Sequence, residues 1–201
     1  MQTELIVAAT GASGSSLTLA LLQALLRQEA VRRVHFMCSD AALPVMAQEL
    51  KVPDLDARSF IDRFLDGDKR VTPWRNDQLA APMASGSYRT GGMVLAPCSM
   101  NTLAAVSHGI ADGLITRSAD VTLKERRPLL MAVRETPLGR VHLKNMLQAT
   151  ENGATIFPLC PAFYAHPASA TDMLDNFVLR LLDHLHLDAD RGYRWGTPPR
   201  S

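Results

Sequence analysis

The sequence predicts an α/β domain built on a parallel sheet with helices on both faces. Three observations carry this. Apolar runs alternate with helix-patterned segments along the 201 residues. The runs are continuously apolar rather than alternating, as in strands buried on both faces. The small, hydroxyl-bearing and charged residues cluster just after these runs, at the carboxyl ends of the strands, where ligands bind in such sheets.

Glu4 to Ala9 is the first strand, followed by the turn Thr10-Gly11-Ala12-Ser13-Gly14 and a helix through Leu26. Val34 to Cys38 is the second, followed by Ser39-Asp40 and a helix from Ala41 to Leu50. Val52 to Leu79 reads as irregular, with one helix over Ala57 to Leu65. Met93 to Ala96 is the third strand, ended by Pro97-Cys98-Ser99 before a helix from Asn101 to Gly109. Leu129 to Val133 is the fourth, with a helix from Pro137 to Gln148, and Thr155 to Phe157 is a short fifth. Thr171 to His186 closes the domain, with Met173, Leu174, Phe177, Val178, Leu181 and Leu182 at helical spacing. The expected organisation is one domain over residues 1–190 and an extended tail over 191–201.

Hydrophobic residues make up 47% and charged residues 20%, as in an ordinary soluble domain. The net charge of +1 gives no general basic field for nucleic acid or a membrane surface, so any anion site must be local. Three cysteines without paired spacing argue against a disulfide framework or zinc site and fit a reducing compartment. No signal peptide is visible, and the apolar stretch Leu17 to Leu26 is about half of a membrane span. A cytoplasmic protein without a metal is expected.

Each motif has two readings. Thr10 to Gly14 opens a helix after a strand, so its backbone could approach a phosphate at the helix N-terminus; a tight turn explains it equally well. It lacks GxGxxG, and no tyrosine is followed four residues on by lysine, which removes the short-chain dehydrogenase pair. Ser99 and Thr102 read either as a helix cap or as a second wall of donors around one phosphate. Cys98 reads as a small buried residue. Ala84 to Gly92 is a surface loop by default, yet its serines could cradle an anion. Around the strand at Pro128 to Val133 lie Arg117, Lys124, Glu125, Arg126, Arg127, Arg134 and Glu135. A solvated face is the plain reading. Arg134-Glu135 follows the strand directly, where a guanidinium can grip phosphate and a carboxylate can move protons. Tyr164 lies in a loop between two prolines, and Arg180 opposite the apolar stripe of the last helix.

Taken together, "TGASG", "ASGSYRTGGMVLAPCSMNTLAAV", "RSADVTLKERRPLLMAVRETPL", "HLKNM" and "PAFYAHP", with Arg194-Trp195-Gly196 near the end, resemble the UbiX-type flavin prenyltransferases over nearly the whole chain. The resemblance implies a single Rossmann-like (flavodoxin-like) domain in a homo-oligomer, typically a dodecamer. It implies metal-independent transfer of a dimethylallyl group from dimethylallyl monophosphate, or in some members the diphosphate, to reduced FMN at N5 and C6. The product, prenylated FMN, would serve a UbiD-type decarboxylase. By the same resemblance Gly11, Ala12, Ser13, Ser39, Ser99, Met100, Asn101, Thr102 and Arg134 would hold FMN. Ser85, Arg117, Lys124, Tyr164 and Arg180 would hold the prenyl phosphate, and Glu49 and Glu135 would handle protons, with Lys124 also counted as catalytic. The site would lie between subunits. The cations would neutralise charge on the departing phosphate, and apolar surroundings would shelter an allyl cation-like fragment.

Two departures from the family pattern stand out. Thr18 replaces a glycine that packs the first helix on the sheet, and Gln78 replaces an aromatic found in some members. Two rivals remain at this point. Peptidyl-cysteine and phosphopantothenoylcysteine decarboxylases share the fold but carry an active-site histidine and Pro-x-Met-Asn, where this chain has Pro97-Cys98-Ser99-Met100. A non-catalytic FMN carrier or accessory subunit of an aromatic-acid decarboxylase is the other.

Overall fold

The computed structural model describes residues 2–187, 193, 194 and 196. Six strands form one all-parallel sheet: β1 (Thr3–Ala9), β2 (Val31–Cys38), β3 (Val71–Arg75), β4 (Met93–Cys98), β5 (Leu129–Val133) and β6 (Thr155–Ile156). Their spatial order is β3-β2-β1-β4-β5-β6. This is the Rossmann order, in which connections leave β1 in opposite directions and open a crevice between β1 and β4. The helices are α1 (Ser15–Leu26), α2 (Ala42–Leu50), α3 (Ala57–Phe64), α4 (Met100–Ser107), α5 (Leu114–Lys124), α6 (Arg140–Glu151) and α7 (Ala170–His184).

Side chains on β1 alternate between two cores. Leu5, Val7 and Ala9 join Leu21, Phe36 and Leu181 on one face. Ile6 and Ala8 join Met37, Leu95, Leu103 and Met131 on the other. Each fully buried leucine contributes roughly 1.5–3 kcal/mol, so two such layers hold the sheet between its helices.

Two elements differ from the sequence reading. The stretch expected to be irregular contains β3, whose Pro73 hides a strand in any pattern search. β3 is the sheet edge, where a missing N–H costs least. α5 escaped because its buried face mixes Thr116, Ser118 and Thr122 with Leu114, Ile115, Ala119 and Val121, which blurs the apolar stripe. Of the expected tail, Tyr193, Arg194 and Gly196 are described and the rest lies outside the described residues. Tyr193 N–H donates to Asn176 Oδ1 at 2.8 Å, and Arg194 pairs with Asp183 at 2.7 Å. Thr18 is fully buried, and its hydroxyl donates to the Ala96 carbonyl at 2.7 Å. The departure from glycine is thereby compensated by a bond from α1 to β4.

A polar network crosses the second core. The buried Glu4 carboxylate accepts from Arg32, from Tyr88 Oη and, at 3.0 Å, from His35 Nε2. Burial raises the Glu4 pKa, but these three donors reverse that and bring it from 4.5 to about 2. Burial pushes His35 down from 6.5. Both folded values are depressed, so both groups lend stability at neutral pH that acid removes. The loss begins as the unfolded chain protonates its histidine near 6.5 and steepens below 4.5. At about 1.4 kcal/mol per unit, Glu4 accounts for about 3 kcal/mol. Urea unfolding at neutral and acid pH should show this slope, and Glu4→Gln should flatten its lower part.

Candidate active site

The crevice between β1 and β4 holds a cavity of about 520 Å³ at the carboxyl ends of the strands. Its walls include four segments that directly follow strands. Gly11 and Ala12 follow β1, Ser39 follows β2, Ser99 to Thr102 follow β4, and Arg134-Glu135 follow β5. The expected cofactor residues thus converge, with one exception. Ser13 does not line the cavity; its carbonyl accepts from Arg134 Nε at 3.3 Å and so fixes the guanidinium.

Gly11 has a packing reason. A Cβ there would stand 2.7 Å from Ala41 Cβ, so the turn after β1 lies hard against the start of α2. Ser99 caps α4, with its Oγ accepting from Thr102 N–H at 3.3 Å, and its own N–H donates to Thr10 Oγ1 at 2.7 Å. Thr10 thereby ties the first turn to the second. The cap reading and the donor-wall reading of Ser99 are compatible, because the capped helix start forms the wall.

α1 starts without a cap of its own, at Gly14 with φ 138°. Its donors are met by Glu49 from α2, which accepts from Ser15 N–H at 2.8 Å and Gly14 N–H at 3.2 Å. Burial raises the Glu49 pKa, but bonds from the Ser13 and Ser15 side chains and from the Ser15 and Gly14 N–H groups more than offset it. Glu49 is therefore held as a carboxylate. The positive end of α1 is filled by the protein's own anion. The start of α4 and Arg134 line the cavity and can offer donors to a phosphate.

The remaining site residues form two separate groups. Arg117 Nε donates to the Ala84 carbonyl at 3.1 Å, and a Cβ on Gly86 would stand 2.8 Å from Lys124 Nζ. Ser85, Arg117 and Lys124 thus share one surface, at the end where β4 begins. Lys124 lies eight residues beyond Thr116, which lines the cavity, or about 12 Å along α5. Glu125 pairs with Lys124 at 2.9 Å. Tyr164 and Arg180 line a different cavity of about 550 Å³, together with Asp183, Tyr193 and Arg194. Gln78 lies by a third hollow beside β3, with its Oε1 accepting from Arg75 N–H at 2.8 Å.

Sequence reasoning missed Asn76, Asp112, Ile115 and Thr116 in the cavity wall. Asn76 follows β3 as the other site residues follow their strands, and Asp112 precedes α5, so both were lost with those elements. Asn76 Oδ1 accepts from Ile115 N–H at 2.9 Å and Asp112 accepts from Thr116 Oγ1 at 3.0 Å, which fixes this wall. No histidine lines the cavity, which removes the group on which the cysteine-decarboxylase rival depends. Burial pushes the Cys98 thiol far up, so it is not a nucleophile. Among the described residues, no group of three or more His, Cys, Asp or Glu is placed to hold a metal.

An oxygen- and nitrogen-lined crevice with one guanidinium fits a phosphate-bearing flavin. The Flavoprotein family model matches residues 1–180. The flavin prenyltransferase UbiX of Pseudomonas aeruginosa is 44% identical over 197 residues, covering 94% of this chain and 92% of that protein. That of Salmonella typhimurium is 43% identical over 193 residues, covering 95% and 97%. Among solved structures, AnUbiX in complex with FMN and dimethylallyl pyrophosphate has a TM-score of 0.86 at 40% identity, covering 99% of this chain and 100% of that one. A dodecameric FMN-dependent UbiX-like decarboxylase from Escherichia coli has a TM-score of 0.85 at 41% identity, covering 96% and 100%.

Proposed function

We infer, since this chain belongs to the Flavoprotein family and to its UbiX-type flavin prenyltransferases, that it joins a dimethylallyl group to N5 and C6 of reduced FMN and releases phosphate. The observation that carries the assignment of roles is the carboxylate of Glu49, held ionised by the N–H groups of Gly14 and Ser15; it does not itself line the cavity of the protomer, and the turn that binds it begins two residues after Ala12, which does. FMN, when bound, supplies the electron-rich ring that takes the prenyl group. Met100, Asn101, Thr102 and Arg134 hold its phosphate; Gly11, Ala12 and Ser39 line its bed, and Ser13 orients Arg134.

Glu49 accepts the proton that ring closure releases, and Glu135, at the mouth of β5, returns protons to solvent. Ser85, Arg117 and Lys124 bind the prenyl phosphate from one side, and Tyr164 and Arg180 from another. In the protomer, Lys124 and Arg117 lean on Glu125 and Asp120, each at 2.9 Å. Such half-exposed pairs contribute at most about 1 kcal/mol, so a phosphate dianion can displace them. The three groups lie in separate places on one chain, so they complete a site only where copies meet. Leu143 and Leu147, 53% and 61% exposed one turn apart on α6, give such a contact an apolar surface. The assembly is a homo-oligomer, a dodecamer by analogy with the Escherichia coli structure.

The donor is dimethylallyl monophosphate, and the product goes to a UbiD-type decarboxylase in the cytoplasm. The hand-over is tested by adding the protein-free filtrate of a reaction to a UbiD-type decarboxylase made without its cofactor. Recovery of decarboxylation is expected. No recovery from a filtrate that contains prenylated FMN would remove this partner.

A further inference from the structure

The loop Ala84–Gly92 carries Ser85 and is fixed from below at several points. Arg117 Nε donates to the Ala84 carbonyl at 3.1 Å. Arg127 donates to the Gly86 carbonyl at 2.8 Å and to the Tyr88 carbonyl at 2.7 Å. Gly91 N–H donates to the Glu4 carbonyl at 2.8 Å. These bonds hold backbone. One side chain of the loop reaches into the core: Tyr88, whose hydroxyl donates to the Glu4 carboxylate.

What waits at the end of Tyr88 is itself fixed. Trp74 Nε1–H points at His35 Nδ1 at 3.1 Å. An indole N–H can only donate, so Nδ1 accepts and the imidazole proton sits on Nε2. Nε2–H then donates to Glu4 at 3.0 Å, and Arg32 donates to the other carboxylate oxygen. Glu4 is 5% exposed and His35 1% exposed. The carboxylate is thus oriented by a tautomer that Trp74 selects, and its remaining acceptor position faces the loop. Such a buried carboxylate is costly unless its donors are present, so Tyr88 is drawn in strongly.

We propose that Glu4, backed by His35 and Trp74, is a positioning device that sets the Ser85-Gly86-Ser87 turn through Tyr88 and thereby tunes the affinity for the prenyl phosphate. Ser85 and Ser87 hydroxyls lie 3.0 Å apart on the solvent side of this turn, and Gly86 is packed beneath Lys124. A shift of Tyr88 displaces both hydroxyls relative to the ammonium. None of the four network residues lines the flavin cavity, so the effect falls on one ligand alone. The proposal rests on the reading that Ser85 binds the prenyl phosphate.

The test is steady-state kinetics of the full-length protein with dimethylallyl monophosphate, alongside FMN titration. Tyr88→Phe removes one oxygen and leaves the ring and the Arg127 bonds in place. It should raise KM for the prenyl phosphate about tenfold, with kcat and FMN affinity within about twofold of the wild type. Glu4→Gln should raise KM as well, and the double variant should be no worse than the more impaired single one, because both cut the same link. Ser85→Ala serves as the benchmark. If Ser85→Ala raises KM and Tyr88→Phe does not, the positioning role is wrong while the phosphate site stands. Unchanged KM in both overturns the phosphate site and the proposal with it. A lower melting temperature with unchanged KM, or equal losses for both ligands, shows a merely structural network and also overturns it.

Discussion

Glu49→Gln should lower the rate of prenylated FMN formation by about 10²–10⁴-fold while FMN still binds. Glutamine keeps the size and an acceptor for the N–H groups of Ser15 and Gly14, so the start of α1 remains satisfied. It cannot take a proton at working pH. In the proposed site FMN is held by the start of α4 and by Arg134, which the substitution does not touch. The pH profile follows from the direction of the shift. Burial works against ionisation, but the Ser13, Ser15 and Gly14 donors dominate and hold the Glu49 carboxyl below its ordinary 4.5. The base form is therefore present throughout the neutral range, and the acid limb due to Glu49 should fall below 4.5. Stopped-flow absorbance of the flavin over pH reads both effects. A variant that completes the ring at the wild-type rate would remove Glu49 from the chemistry.

Lys124→Ala should cut kcat/KM for dimethylallyl monophosphate by about 10²–10³-fold and leave FMN affinity unchanged. The ammonium is half-exposed and, among the described residues, pairs with Glu125 alone, so the substitution costs little stability. In the proposed site its loss would be felt where negative charge gathers on the leaving phosphate. Arg180→Ala should act on the same parameter, although Arg180 lies in another cavity of the protomer. If the site forms between copies, mixed oligomers of the two variants should regain part of the activity, since some sites then contain both cations. Mixed oligomers as inactive as either parent would place Lys124 and Arg180 on the same copy's site, or Arg180 outside it.

Much of the fold was legible because strands buried on both faces leave apolar runs, and five of the six were seen. β3 was not, because Pro73 breaks the pattern, at a sheet edge where a missing N–H is tolerated. The crevice was legible by a single rule, that the residues lining it follow strands. The same rule would have found Asn76 had β3 been recognised. Glu49 shows a different limit. It sits at the end of α2 without a local signal, and its meaning comes from α1, which is 35 residues away for Gly14. The Glu4 network was illegible for the same reason: Glu4, His35, Trp74 and Tyr88 come from three strands and a loop. Thr18 looked like a fault in helix packing and proved to be a hydrogen bond.

The most direct measurement is the mass of the flavin extracted after anaerobic incubation of the protein with reduced FMN and dimethylallyl monophosphate. A gain of one C5H8 unit is the expected result. FMN recovered unchanged with both the monophosphate and the diphosphate, from folded protein with flavin bound, would contradict it.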